Sequence, residues 1–181
     1  MATAGPAVNL ANPVVFFRMK IQMNKCHACD EISKSQQNSS LVIYEDAYWI
    51  VSHRTGNDVL AGNLIIKTKR HCEHLAELTA EEANSLGDVI QKTCLSLSRV
   101  MEVVKVYVAS YGERVKHVHF FVIPRTSKMP AGNLKIFLYQ RVHSFLVSCG
   151  LRGKLTQEEK IYMVERMRRE YQKLVDSSEA V

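Results

Sequence analysis

Two histidines one residue apart, in Lys116-His117-Val118-His119, are the residues of this 181-residue chain best suited to chemistry. In an extended strand alternate side chains share a face, so His117, His119 and Phe121 point one way while Val118, Phe120 and Val122 point into a core. An unperturbed imidazole titrates near neutral pH and serves as nucleophile or base there. With Gly112 in the preceding turn and the cationic Lys116 beside it, the segment suits the handling of an anion.

A second group is Cys26-His27-Ala28-Cys29. This spacing lets two thiolates share one metal, or form a redox pair where it opens a helix in a βαβ unit. No βαβ order surrounds it. Completing a tetrahedral site requires two more ligands, and His71 or His74 together with His117 would supply them, giving a closed, structural Cys2His2 centre. Cys72, Cys94 and Cys149 have no partners at metal spacing and read as small core hydrophobes.

The elements that must position these residues are short strands around one helix. Leu41 to Tyr44, Tyr48 to Ser52 and Leu64 to Thr68 are β-branched or aromatic runs separated by turn residues, which predicts an antiparallel meander. Thr79-Ala80-Glu81-Glu82 is a capping box that opens a helix with Leu86, Val89, Ile90 and Leu97 on its buried face. Val103 to Ala109 and His117 to Ile123 follow as two further strands. The order is α+β, a five-stranded antiparallel sheet with a central helix. Beyond Pro124 the pattern changes to Leu134 to Val147 and then to a second capping box at Thr156-Gln157-Glu158-Glu159. The helix it opens carries Ile161, Val164, Met167, Tyr171 and Leu174 at spacings of three and four, a stripe that packs on a core or a partner. The chain thus divides into an N-terminal tail (1–22), a domain (23–127) and a C-terminal helical extension packed on it (128–181). Ser33 to Ser40 reads as a polar loop.

Composition limits what this arrangement can serve. An apolar share of 46% against 23% charged is that of a globular protein, and no run approaches the roughly 20 apolar residues of a membrane span. The net charge of +6 favours anionic partners. It is dispersed, however: Arg166, Arg168 and Arg169 alternate with Glu165 and Glu170, which argues against a nucleic-acid stripe. Five cysteines and a Met1 to Phe17 segment without a cationic start argue for reduced thiols in the cytoplasm or nucleus. Arg18, Lys20 and Lys25, with no acid in the first 29 residues, leave an organelle transit peptide as the alternative.

The stretch Gly112-Glu113-Arg114-Val115-Lys116-His117-Val118-His119-Phe120-Phe121-Val122-Ile123-Pro124-Arg125 resembles the signature of the histidine triad nucleotide hydrolases and transferases, His-x-His-x-His followed by two apolar residues. Gly62 to His71 and on through Thr79 resembles the family's strand and helix start, and with Cys26 and Cys29 the likeness runs over roughly residues 23–127. The resemblance implies the histidine-triad fold and a dimer, commonly built through a helix and a strand. It also implies a purine nucleotide or nucleotide conjugate as ligand, with His119 as the nucleophile that takes the nucleotidyl group. A main-chain oxygen near the first histidine would hold the other ring nitrogen. Zinc would be held by Cys26, Cys29, His71 and His117, as in the zinc-containing members. Ile32 falls where the family packs near the base. Three positions depart from the pattern: Phe121 replaces the third histidine, Glu113 replaces the usual glutamine beside the phosphate, and Thr55 stands where an aspartate holds the ribose, with Asp58, His53 and Arg54 close by. A phenyl ring donates no hydrogen bond and a carboxylate repels phosphate, so both substitutions lower phosphate affinity.

Overall fold

The computed structural model describes residues 26–35, 39–56 and 59–179. The elements in chain order are α1 (His27–Ser35), β1 (Val42–Glu45), β2 (Trp49–His53), β3 (Leu64–Thr68), α2 (Ala80–Val100), β4 (Lys105–Ala109), β5 (His119–Arg125), α3 (Asn133–Ser148) and α4 (Gln157–Glu179). The strands form one antiparallel sheet in the order β1-β2-β3-β5-β4, as the α+β reading predicts.

Alternation divides the sheet's residues between two faces. Trp49 and Val51 of β2, Leu64 and Ile66 of β3, and Phe120 and Val122 of β5 enter the core. There they meet Val89 and Leu97 of α2 and Val164, Met167 and Tyr171 of α4. The stripe on the last helix is therefore core, and the Tyr171 ring stacks on Tyr44 at 4.4 Å. Ile50 and Ser52, Ile65 and Lys67, and His119 and Phe121 face the other side, where they line a cavity.

Two devices fix the sheet against α2. The capping box forms, with Thr79 Oγ1 accepting from the Glu82 amide at 3.2 Å and Glu82 Oε2 accepting from the Thr79 amide at 2.8 Å. The Glu82 carboxylate also takes two bonds from Arg70, at 3.0 and 2.8 Å, so the loop after β3 is tied to the helix start. Fully buried Trp49 donates from Nε1 to Ser85 Oγ at 3.0 Å. Gly62, which turns the chain into β3, has φ +77°, a conformation that favours glycine, and a Cβ there would lie 2.6 Å from Met101 Sδ and force that side chain to shift.

The sequence reading needs correction in four places. Residues 27–35 are helical, so the polar stretch from Ser33 begins inside α1. That helix forms because Ala28 and Ile32, one turn apart, share a buried face despite polar neighbours. The fifth strand starts at His119 instead of His117, because Val118 donates out of the sheet to the Cys72 carbonyl at 2.8 Å. β4 starts at Lys105, two residues later than expected. Cys149 is exposed beyond the end of α3, not a core residue, whereas Cys72 is buried. The N-terminal tail, its transit-peptide reading and Asp58 lie outside the described residues.

Candidate active site and metal centre

His119 sits 6% exposed on the cavity face. Its Nδ1 lies 2.6 Å from the His117 carbonyl oxygen. A carbonyl can only accept, so Nδ1 carries the proton and Nε2 is left with a lone pair. The cavity encloses about 1000 Å³, ample for a nucleotide, and its wall is shared by α1, the sheet face, the loop after β2 and the Tyr111–Val115 turn.

Phe121 follows on the same face. Its ring stands nearly perpendicular to the His119 imidazole, with centroids 5.0 Å apart, and the Arg54 guanidinium lies over it at 5.2 Å. Glu113 and Thr55 also line the cavity. Thr55 Oγ1 donates to Glu31 Oε1 at 3.2 Å. Ile32 is buried and is not among the lining residues; its neighbours Ala28 and Glu31 are. His53 has both nitrogens engaged: Nδ1 donates to the Arg54 carbonyl at 2.9 Å and Nε2 accepts from the Gly62 amide at 3.2 Å. Burial first, then the Lys160 and Arg54 charges, hold its pKa below the usual histidine value. It therefore shapes the loop as a neutral ring.

Three residues at this site have no place in the motif reading. Lys67, 4% exposed, is the register partner of His119 and donates to Glu31 Oε2 at 2.8 Å. Burial raises the Glu31 pKa, but Lys67, with His27 and Thr55, outweighs it and the net shift is downward. Lys160 of α4, fully buried, donates to the Thr55 and Gly56 carbonyls at 3.2 and 3.0 Å. Lys67 had a signal, a charge in an apolar strand on the parity of the cavity face; Glu31 and Lys160 had none.

The metal candidates converge. The ligand atoms of Cys26, Cys29, His71 and His117 lie within 4.8 Å of one another. Cys26 Sγ and Cys29 Sγ are each 3.6 Å from His117 Nδ1, and Cys29 Sγ is 3.4 Å from His71 Nδ1. A tetrahedron with zinc–sulfur bonds of ~2.3 Å and zinc–nitrogen bonds of ~2.0 Å puts sulfur and nitrogen about 3.5 Å apart, so these residues fit such an ion. The outer contacts fit as well, because His117 Nε2 donates to the Thr68 carbonyl at 2.8 Å and leaves Nδ1 free to bind metal. Burial, foremost, and the charges of His71, His119 and Lys67 lower the His117 pKa and keep the ring neutral, as a ligand must be. Burial and the adjacent Cys26 push the Cys29 thiol up to about 11, a cost that a bound cation would reverse. His74 instead precedes a short 3-10 turn and stands outside the cluster. Cys29 lies in the first turn of α1, but the antiparallel sheet gives no βαβ setting for a redox pair.

Comparisons with known proteins agree with this fold. The HIT domain family model matches residues 35–128. A Zn-bound histidine triad family protein from Mycobacterium smegmatis superposes with a TM-score of 0.59 at 16% identity, over 84% of this chain and 97% of that one. A Hit-like protein from Bartonella henselae gives 0.58 at 15% identity, over 81% and 97%. A hypothetical histidine triad nucleotide-binding protein from Sulfolobus tokodaii gives 0.56 at 15%, over 77% and 91%. At these identities the likeness is one of fold. No curated protein sequence matches the chain.

Proposed function

Because the chain belongs to the HIT family, we propose that it binds a purine nucleotide or nucleotide conjugate over His119 and transfers the nucleotidyl group through that residue. The observation that carries this reading is the tautomer: Nδ1 donates its hydrogen to the His117 carbonyl, and the Nε2 lone pair is the nucleophile. In the reaction, Nε2 attacks the α-phosphorus, a nitrogen–phosphorus bond forms, and the bond to the leaving group breaks with its electron pair going to that group, which is protonated from solvent. Water or another acceptor then attacks the same phosphorus, loses its proton to solvent, and the nitrogen–phosphorus electron pair returns to Nε2. Arg54, Lys67 and Arg114 line the cavity and offset the phosphate charge, while Glu113 opposes it.

Zinc is the ion proposed for the Cys26, Cys29, His71 and His117 cluster. When bound it would supply a structural cross-link between α1 and the sheet without taking part in the transfer. The partly exposed edge strand β4, with Val108 37% exposed and Val104 just before it 54% exposed, supports a homodimer, which light scattering tests. Among the described residues no helix is long and apolar enough to cross a membrane.

A second reading, a nucleotide-binding module with little or no turnover, is favoured by Phe121 against the His119 ring and by Glu113 in the cavity wall. One experiment separates the two. The protein and its His119→Ala variant are incubated with adenosine 5′-phosphoramidate, quenched, and examined by intact mass for the adenylyl adduct alongside product release. Turnover and adduct lost with His119 support the transferase reading. Turnover retained in the variant refutes it, and binding with neither turnover nor adduct leaves the module.

A further inference from the structure

We propose that Lys67 is the cation that receives the substrate phosphate, and that Glu31 occupies that position as a resident anion until a nucleotide displaces it. The proposal rests on the nucleotide reading above and deepens it, since it assigns the contact that Phe121 does not provide. Lys67 and His119 are directly opposite in the β3–β5 ladder, so their side chains leave the sheet side by side on the cavity face. Across β2, the register partner of Lys67 is Ile50, and two residues earlier on its own strand stands Ile65. Both neighbours on that face are aliphatic, so they offer the ammonium no counter-charge. A buried ammonium is unfavourable without an anion, and Glu31 supplies one at 2.8 Å.

The two partners differ in accessibility. The Lys67 side chain is 5% exposed, whereas that of Glu31 is 26% exposed. The cation is therefore fixed in the wall and the carboxylate is the part that water reaches and a ligand can replace. Glu31 does not lose every partner when displaced, because Thr55 Oγ1 already donates to its other oxygen at 3.2 Å. A nucleoside 5′-phosphate carries more charge than a carboxylate and presents three oxygens, which favours the exchange.

Isothermal titration calorimetry with AMP and with adenosine, on the full-length protein at equal metal content, tests this. Lys67→Met should weaken AMP binding by roughly 10- to 100-fold while adenosine binding stays unchanged, the range expected for one hydrogen bond to a charged group. Lys67→Arg should restore most of the AMP affinity, and Glu31→Gln should raise it, because the competing anion is gone. If Lys67→Met fails to fold, Glu31→Gln decides: AMP affinity unchanged or lowered overturns the proposal. So does a Lys67→Met variant that binds AMP normally, or that loses AMP and adenosine in equal proportion, in which case the pair merely clamps α1 to β3. If the unaltered protein binds neither compound, the nucleotide reading falls and this one with it. Normal AMP binding by the unaltered protein and by Lys67→Met removes the Lys67 assignment alone.

Discussion

Replacing Phe121 by histidine probes the most unusual feature of this site. The ring at position 121 stands 5.0 Å from His119, so an imidazole in its place would bring a donor to whatever group His119 attacks. One hydrogen bond to a charged acceptor contributes about 1.5–3 kcal/mol. Against this, the change weakens the stacking of Arg54 over the ring, an interaction of about 0.5–1 kcal/mol at an exposed site. The difference, about 0.5–2.5 kcal/mol, corresponds to a gain of roughly 2- to 70-fold in kcat/KM. Steady-state turnover of adenosine 5′-phosphoramidate by Phe121→His and the unaltered protein, both with full metal content, measures it directly. A folded variant whose kcat/KM is unchanged or lower refutes the reasoning, since the transferred phosphate would then not pass residue 121.

Two other outcomes follow from the geometry. Cys29→Ser should abolish the metal found by elemental analysis, from about one ion per chain, and lower the melting temperature, because the ion's hold on α1 is lost; metal retained at full occupancy would exclude Cys29 as a ligand. Glu82 is held below its ordinary pKa of 4.5 by the Arg70 guanidinium. A depressed carboxyl pKa gives stability that is fully present above the ordinary value and is lost as pH falls through the lowered one. The difference in urea midpoint between the unaltered protein and Glu82→Gln should therefore be constant near neutral pH and shrink steadily below pH 4.5. A difference that persists undiminished in acid would show that the ion pair is not its source.

Much of this architecture could be read from periodicity. All five strands and α2 come from alternating or helical apolar patterns, and both capping boxes form as their residue types predict, the second with bonds of 2.8 and 3.1 Å between Thr156 and Glu159. For the candidate metal cluster, residue types point to Cys26, Cys29 and His117 but leave His71 and His74 open, and only the likeness to zinc-containing family members favours His71. What escaped notice is helical structure in α1, where Ala28 and Ile32 alone carry the buried face among the residues whose burial is described. Long-range polar pairs escaped as well. Nothing local in the sequence tells Lys160 that its acceptors are Thr55 and Gly56, or Lys67 that its partner is Glu31, because ion pairing has no period and depends on which elements the fold brings together. The exposure of Cys149 was missed for a related reason: a cysteine looks apolar by type, yet a helix end can leave it in water.

The bond from Lys160 to the loop at residues 55 and 56 also has a consequence for the order in which the molecule is made. Its donor and acceptors are 105 and 104 residues apart in the chain. Synthesis proceeds from the N-terminus, so all five strand segments, His119 and the candidate metal ligands are made while the loop beside the cavity still lacks its anchor. A chain stalled before residue 160 would hold His119 beside a loop without that anchor and would lack the core side chains Val164, Met167 and Tyr171, so the cavity wall is completed only with the final helix.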